Sequence, residues 1–154
     1  MELETQIQKC IDQFLTLKED NEIIREIGKV IAALNAKDMS EWLGEDLSRA
    51  ATKLSILLIN LGQYASECRM RYNQTYTFRK FKTSQMYMEA QGSQGDRKAL
   101  ADQQTNELYN VEVFENFKSE SIHTLYKDIE RLVSVIQSRL KMLLSERYQE
   151  NLQV

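Results

Sequence analysis

This chain of 154 residues contains no proline. Proline locks φ and removes a backbone donor, so its absence takes away the commonest helix breaker and permits very long helices. Glycine is scarce as well, with five copies at positions 28, 44, 62, 92 and 95. Two of them sit together in Gln91-Gly92-Ser93-Gln94-Gly95-Asp96, the one strong turn signal in the chain. A chain with one turn signal and no proline is constrained to a small number of long helices.

The apolar residues carry a helical period nearly everywhere. Leu3, Ile7, Cys10, Ile11, Phe14 and Leu15 form one run, and Ile23, Ile24, Ile27, Val30, Ile31 and Leu34 a second. The polar Lys18-Glu19-Asp20-Asn21 separates them or is carried within one continuous helix. Asn35-Ala36-Lys37 reads as a break. Asp38 stands three residues before Glu41, the spacing of a capping box, so a long helix is expected to start there and to run to about residue 90. Its stripe is Leu43, Leu47, Ala50, Leu54, Leu57, Leu61, Ala65 and Cys68. Asn73-Gln74-Thr75-Tyr76-Thr77-Phe78 is rich in weak helix formers, which predicts a kink or local unwinding. Beyond the turn at 91–96, with Asp96 as cap, Leu108 through Leu140 keep a helical period over a C-terminal region spanning 97–149.

The expected fold class is therefore all-α, a single domain over 1–154. Short N-terminal helices (1–36) accompany a long antiparallel hairpin of 38–90 and 97–149. Folding at Ser93–Gln94 sets Leu54 near Ser134 and Tyr72 near Asn116. A two-helix hairpin of this length cannot bury both of its own apolar stripes, so a homo-oligomer is expected. No apolar run reaches the roughly 18 residues needed to cross a bilayer, so no membrane partner is expected. The acidic start, Met1-Glu2-Leu3-Glu4, is unlike a secretory signal. Cys10 and Cys68 have neither metal-ligand spacing nor a disulfide framework, and read as buried thiols in a reducing cytoplasm.

Charge is distributed unevenly. Residues 1–68 hold 7 Lys or Arg against 12 Asp or Glu, and residues 99–154 hold 6 against 9. Between them, residues 69–82 hold five cations (Arg69, Arg71, Arg79, Lys80 and Lys82) and no anion. Tyr72, Tyr76, Phe78 and Phe81 are interleaved. Clustered cations neutralise a phosphate chain, and adjacent rings stack on unpaired bases, so this segment is the candidate nucleic-acid site. At about 100° per residue, Arg69, Tyr72, Tyr76, Arg79 and Lys80 share one arc of roughly 100°, with Arg71 and Lys82 on a second edge. The site residues are Arg69, Arg71, Tyr72, Tyr76, Arg79, Lys80 and Lys82. Two other outcomes stay open. The tyrosines pack on Leu108, Val111 and Phe114 while the cations pair with Glu107, Glu112 and Glu115, or the segment receives another acidic partner.

Other constellations are weaker. Glu120-Ser121-Ile122-His123 has the Glu-x-x-His spacing of di-iron bundles, but a chain with one histidine cannot complete such a site alone. Gly92–Lys98 lacks the strand and the Gly-Lys-Ser/Thr of a phosphate loop, although Arg97 and Lys98 could extend an anion-binding face. No Gly-x-Ser-x-Gly elbow or activated cysteine is present. No enzyme activity, no cofactor and no metal are expected. Trp42 reads as a core anchor where the short helices meet the long one.

The Arg-x-Arg of Glu67-Cys68-Arg69-Met70-Arg71-Tyr72, on a long helix of an acidic and mostly helical protein, resembles phage recombination mediator proteins of the UvsY type. The likeness is one of organisation over about residues 40–145. It implies an oligomer without a catalytic centre that binds single-stranded DNA. Such a protein helps a RecA-like recombinase load onto strands covered by single-strand-binding protein. The implied location is the cytoplasm, the host's if a phage encodes the chain. The helices over 1–35 and the aromatic residues after Arg71 depart from that pattern. The other function class that the sequence allows is a helical protein–protein interaction module, an adaptor or inhibitor, whose basic segment makes structural or intersubunit salt bridges.

Overall fold

A computed structural model describes residues 2–17, 21–37 and 42–152, with side chains to residue 149. The fold is all-α: α1 Glu2–Thr16, α2 Glu22–Asn35, α3 Gly44–Glu89, α4 Gln94–Gln104 and α5 Asn106–Leu152. The backbone clusters into two compact units. Unit 1 comprises residues 1–63 and 123–154, and unit 2 comprises residues 64–122.

Unit 1 holds the apolar core. Asn21 separates α1 from α2 by capping the latter, its Oδ1 accepting from the Ile23 amide at 2.8 Å. That satisfies one of the donors a helix start leaves unpaired. Leu3, Ile7 and Cys10 of α1 and Ile24, Ile27, Val30, Ile31 and Leu34 of α2 are all buried. They are joined in the core by Leu47, Leu54 and Leu61 of α3 and by Leu125, Ile129, Leu132 and Ile136 of α5. Each such side chain contributes about 1.5–3 kcal/mol by leaving water. Gln6 anchors α1 by donating from Nε2 to the Asp128 carbonyl at 3.0 Å. Gly62 permits a close approach of α3 and α5, because a Cβ there would lie 3.1 Å from Cε2 of Tyr126. The expected capping box, Asp38 to Glu41, lies outside the described residues, and α3 as described begins at Gly44.

Unit 2 is an antiparallel hairpin of the α3 segment 64–89 and the α5 segment 106–122, closed by α4. Gly92 takes φ +114°, a conformation that side chains resist. Ser93, rather than Asp96, is the N-cap of α4. Its Oγ accepts from the Asp96 amide at 3.3 Å, while the Ser93 amide donates back to Asp96 Oδ2 at 3.2 Å. Instead of one helix from 97 to 149 there are two, because Thr105 ends α4. Its amide and its hydroxyl both turn back to the Ala101 carbonyl, at 3.1 and 2.8 Å. The local unwinding expected over 73–78 as one alternative does not occur, and α3 is helical throughout this stretch. Thr75 Oγ1 donates to the Arg71 carbonyl at 2.9 Å, so a weak helix former is held by its own preceding turn.

The hairpin pairs as its fold point predicts. Thr83 meets Thr105, with their hydroxyl oxygens 3.0 Å apart, and Arg79 meets Glu112. Its seam follows the alternating four- and three-residue spacing of a coiled coil. Toward the turn, polar and small occupants (Thr75, Arg79 and Lys82 on α3, and Ala101, Thr105, Glu112, Glu115 and Ser119 on α4 and α5) mix with the larger Tyr72, Met86 and Leu108, all three half-buried.

Candidate nucleic-acid interface

Helical spacing divides the basic segment into three groups. Arg79 points into the seam. Its guanidinium forks onto the Glu112 carboxylate, Nε to Oε2 and a second nitrogen to Oε1 at 3.3 Å. The two side chains are only 16 % and 10 % exposed. The hydrogen bond to Glu112 pushes the arginine pKa further up, against the opposing effect of burial. The Tyr76 and Tyr109 rings flank the guanidinium at 5.9 and 5.5 Å. Arg79 is thereby a structural element of the hairpin. This corrects its expected place among the phosphate contacts and matches the pairing alternative for this one cation.

A second group forms a ladder along one flank of α3. Arg69 lies over the Tyr72 ring at 5.3 Å, Tyr72 and Tyr76 are tilted neighbours at 6.3 Å, and Lys80 lies over Tyr76 at 5.6 Å. Arg69, Tyr76 and Lys80 are exposed and Tyr72 is half-buried. Residues 69, 72, 76 and 80 recur every three or four positions, which is why helix geometry stacks them. Cation and ring alternate, so a polyanion with planar bases would meet a charge at each end and a stacking face between them.

The third group lies across the seam from the ladder. Arg71 and Phe78 are exposed there, and Lys82 is half-buried, reaching Gln85 Oε1 at 3.3 Å with the Phe78 ring at 5.9 Å. The candidate residues therefore do not form one face. Arg69, Tyr72, Tyr76 and Lys80 come together, Arg71 and Lys82 stand apart, and Arg79 is withdrawn. Near the turn, Arg97 packs on Tyr87 at 4.8 Å, while Lys98 stays exposed.

Sequence reasoning missed Tyr109, which completes the aromatic clamp on Arg79. The signal was available, since residue 109 is one turn before Glu112 on α5. Of the residues that the packing alternative set against the tyrosines, Leu108 is half-buried, while Val111 and Phe114 are about half and two-thirds exposed. His123 is exposed. Among the described residues no group of three or more His, Cys, Asp and Glu side chains is placed to hold a metal, so the Glu120–His123 spacing finds no third ligand. Cys10 and Cys68 are buried free thiols. Burial, helped by the Asp128 charge, pushes the Cys10 pKa up to about 12 and keeps it a thiol. Trp42 is half-buried, with Lys37 over its ring at 5.5 Å. Among the described residues no helix is long and apolar enough to cross a membrane.

No protein-family model matches the sequence, and no curated protein or solved structure matches it.

Proposed function

We propose that the chain is a non-catalytic nucleic-acid-binding protein that takes single strands along the α3 flank of unit 2. The observation that carries this reading is the Arg69–Tyr72–Tyr76–Lys80 ladder, with three of its four members exposed. Cations meet phosphates and the tyrosine rings meet bases. Stacking on one ring is worth about 1–3 kcal/mol per base. Arg71 and Lys82 extend the positive field without sharing the flank. Single strands are favoured over duplex because an unstacked base reaches a ring, and such contacts discriminate little between sequences. The finer role suggested by the Arg-x-Arg resemblance is that of a recombination mediator, acting with a RecA-like recombinase and a single-strand-binding protein.

The test is fluorescence anisotropy with a labelled single-stranded oligonucleotide. Tyr76→Ala should weaken binding by roughly 5- to 150-fold, from the loss of one stacking platform. Arg69→Gln with Lys80→Gln should weaken it further, and Arg79→Met should have a smaller effect because its guanidinium is already held by Glu112. Equal affinities for the wild type and the ladder variants would refute the site.

One observation favours the second reading, a protein–protein interaction module. The cation at the centre of the segment is spent on an internal ion pair, Arg79–Glu112. A chain that binds no oligonucleotide at low salt would leave that reading standing in place of the first.

A further inference from the structure

Tyr109 belongs to the opposite arm from the ladder, yet it shares the ladder's flank. Helical spacing sets Tyr76 about 60° from the seam on α3 and Tyr109 about 80° from it on α5. Because the arms are antiparallel, both offsets turn to the same side of the hairpin. Contact agrees with this: the guanidinium of Arg79 lies 5.9 Å from the Tyr76 ring and 5.5 Å from the Tyr109 ring. The Thr83–Thr105 and Arg79–Glu112 contacts bracket Tyr109 along the hairpin, which puts it level with Lys80. Tyr109 is 51 % exposed, more than Tyr76 at 41 %. A ring braced by a cation, with half of its surface in water, is suited to receive a base.

Charge decides whether a phosphate chain can reach that ring. The α5 arm is anionic, with Lys118 against Glu107, Glu112, Glu115 and Glu120 over 106–122. On the approach to Tyr109 that charge is cancelled or turned away. Glu112, one turn beyond Tyr109, is paired with Arg79. Helical spacing turns Glu107 and Glu115 toward the other side of the seam. Glu120 shares the flank, but it lies eleven residues beyond Tyr109, roughly 16 Å along the helix, where Asn116 donates to it at 3.3 Å. The exposed charge level with Tyr109 is the cation Lys80.

We infer that a bound single strand crosses the seam over the Arg79–Glu112 pair, stacking bases on Tyr76 and Tyr109 in turn, with Lys80 holding the backbone phosphate between them. The ion pair removes the one α5 carboxylate at the crossing. The ligand so selected is a strand flexible enough to turn its bases onto rings of two different helices. A duplex, whose bases stay paired and stacked on each other, meets neither ring. Tyr109 acts in this way only if the nucleic-acid reading above holds, and it adds a platform that the α3 ladder does not contain.

Fluorescence anisotropy of the full chain at low salt, with oligothymidylate and with a base-free phosphodiester chain of the same length, tests this. Tyr109→Ala should weaken oligothymidylate binding by roughly 5- to 150-fold, the loss of one stacking platform, and leave the base-free chain unaffected. Tyr109→Phe should keep the affinity, because a phenyl ring stacks without the hydroxyl. In Tyr109→Trp the added indole emission should be quenched by oligothymidylate and not by the base-free chain, with Trp42 of unit 1 as constant background. Equal losses on both chains in Tyr109→Ala would mean that the ring only braces Arg79, and would overturn the inference. Unaltered affinity in Tyr109→Ala, where Tyr76→Ala weakens binding, would also overturn it and leave the α3 ladder standing. Unaltered affinity in both variants would remove the ladder as well. If Tyr109→Ala loses helicity by circular dichroism, the Tyr109→Trp emission decides, and an unquenched indole overturns the inference.

Discussion

Two stretches of α3 keep the same seam spacing and fill it with opposite chemistry. In unit 1 the seam positions hold Leu47, Ala51, Leu54 and Leu61, all buried. In unit 2 the same spacing passes from the buried Tyr64 and Cys68 to Tyr72, Thr75, Arg79 and Lys82, none of these four fully buried, while Met70, Phe81 and Met88 look outward. Unit 1 is shaped by the hydrophobic effect, with α1 and α2 laid over the long helices. Unit 2 has two long arms and a short cap; beyond the buried Tyr64, Cys68 and Ile122 at its base, its seam mixes an ion pair, a hydroxyl contact and small residues with the half-buried Met86 and Leu108. This half of α3 turns Phe78 and Phe81 outward and one charge, Arg79, inward, where unit 1 has a row of leucines. The difference explains why the unit with the better core carries the fold and the other carries the candidate sites.

The contrast breaks most easily through the core. Leu54→Ala, at a fully buried position, should destabilise the protein by about 2–5 kcal/mol in urea melts. Val111→Ala, at an exposed position outside the ladder, should change stability by less than about 0.5 kcal/mol. Comparable costs at the two sites would mean that unit 2 is packed as unit 1 is. The next largest effect concerns the seam of unit 2. Arg79→Met leaves the Glu112 carboxylate shielded from water and unpaired, which should cost about 1–3 kcal/mol, below the range for fully buried pairs because some solvent reaches this one. Replacing both partners, Arg79→Met with Glu112→Leu, should recover most of that loss. A double variant as unstable as the single one would mean that the pair does not act as a unit.

The smallest effect sharpens the turn. The Ser93 hydroxyl and amide hold the Asp96 carboxyl below its ordinary pKa. A depressed carboxyl pKa gives stability that is present above the unfolded value, near 3.9, and lost as the pH falls through the folded value. The start of α4 should therefore fray below about pH 4, seen as loss of amide protection at Asp96. In Ser93→Ala the Asp96 titration, followed by NMR, should move back up toward the ordinary value. An unmoved titration would remove the capping box as the cause.

The legible parts of the fold are those where one local rule decides. The three–four periodicity of Ile23 to Leu34 and the turn around Gly92 needed no tertiary information, and the register near Thr83 and Thr105 followed from the turn alone; the sequence left open whether α1 and α2 are separate, and the Asn21 cap decides it. The break at Thr105 was missed because a threonine reads as a weak helix former, and its non-helical backbone, at φ −103° and ψ 8°, is not written in the residue type. The unwinding expected over Asn73–Phe78 does not occur; the Thr75 hydroxyl there donates to the Arg71 carbonyl of the preceding turn. For the site, charge counting found the segment but not its division. Which cation turns inward depends on the partner helix, and Glu112 lies 33 residues from Arg79 in the chain. The exposed faces of Phe114 and Phe117 were hidden for a related reason, since a periodic apolar residue does not announce which side of the helix its neighbour occupies.

The central claim is that unit 2 presents an open cationic ladder to a phosphate chain. Its most direct test is the dependence of oligonucleotide affinity on salt. With about three phosphates neutralised by Arg69, Arg71 and Lys80, the logarithm of the association constant should fall against the logarithm of salt with a slope of about −2, and Arg69→Gln with Lys80→Gln should reduce that slope to about −0.7. A wild-type slope near zero, or a slope that the double variant leaves unchanged, would contradict the account.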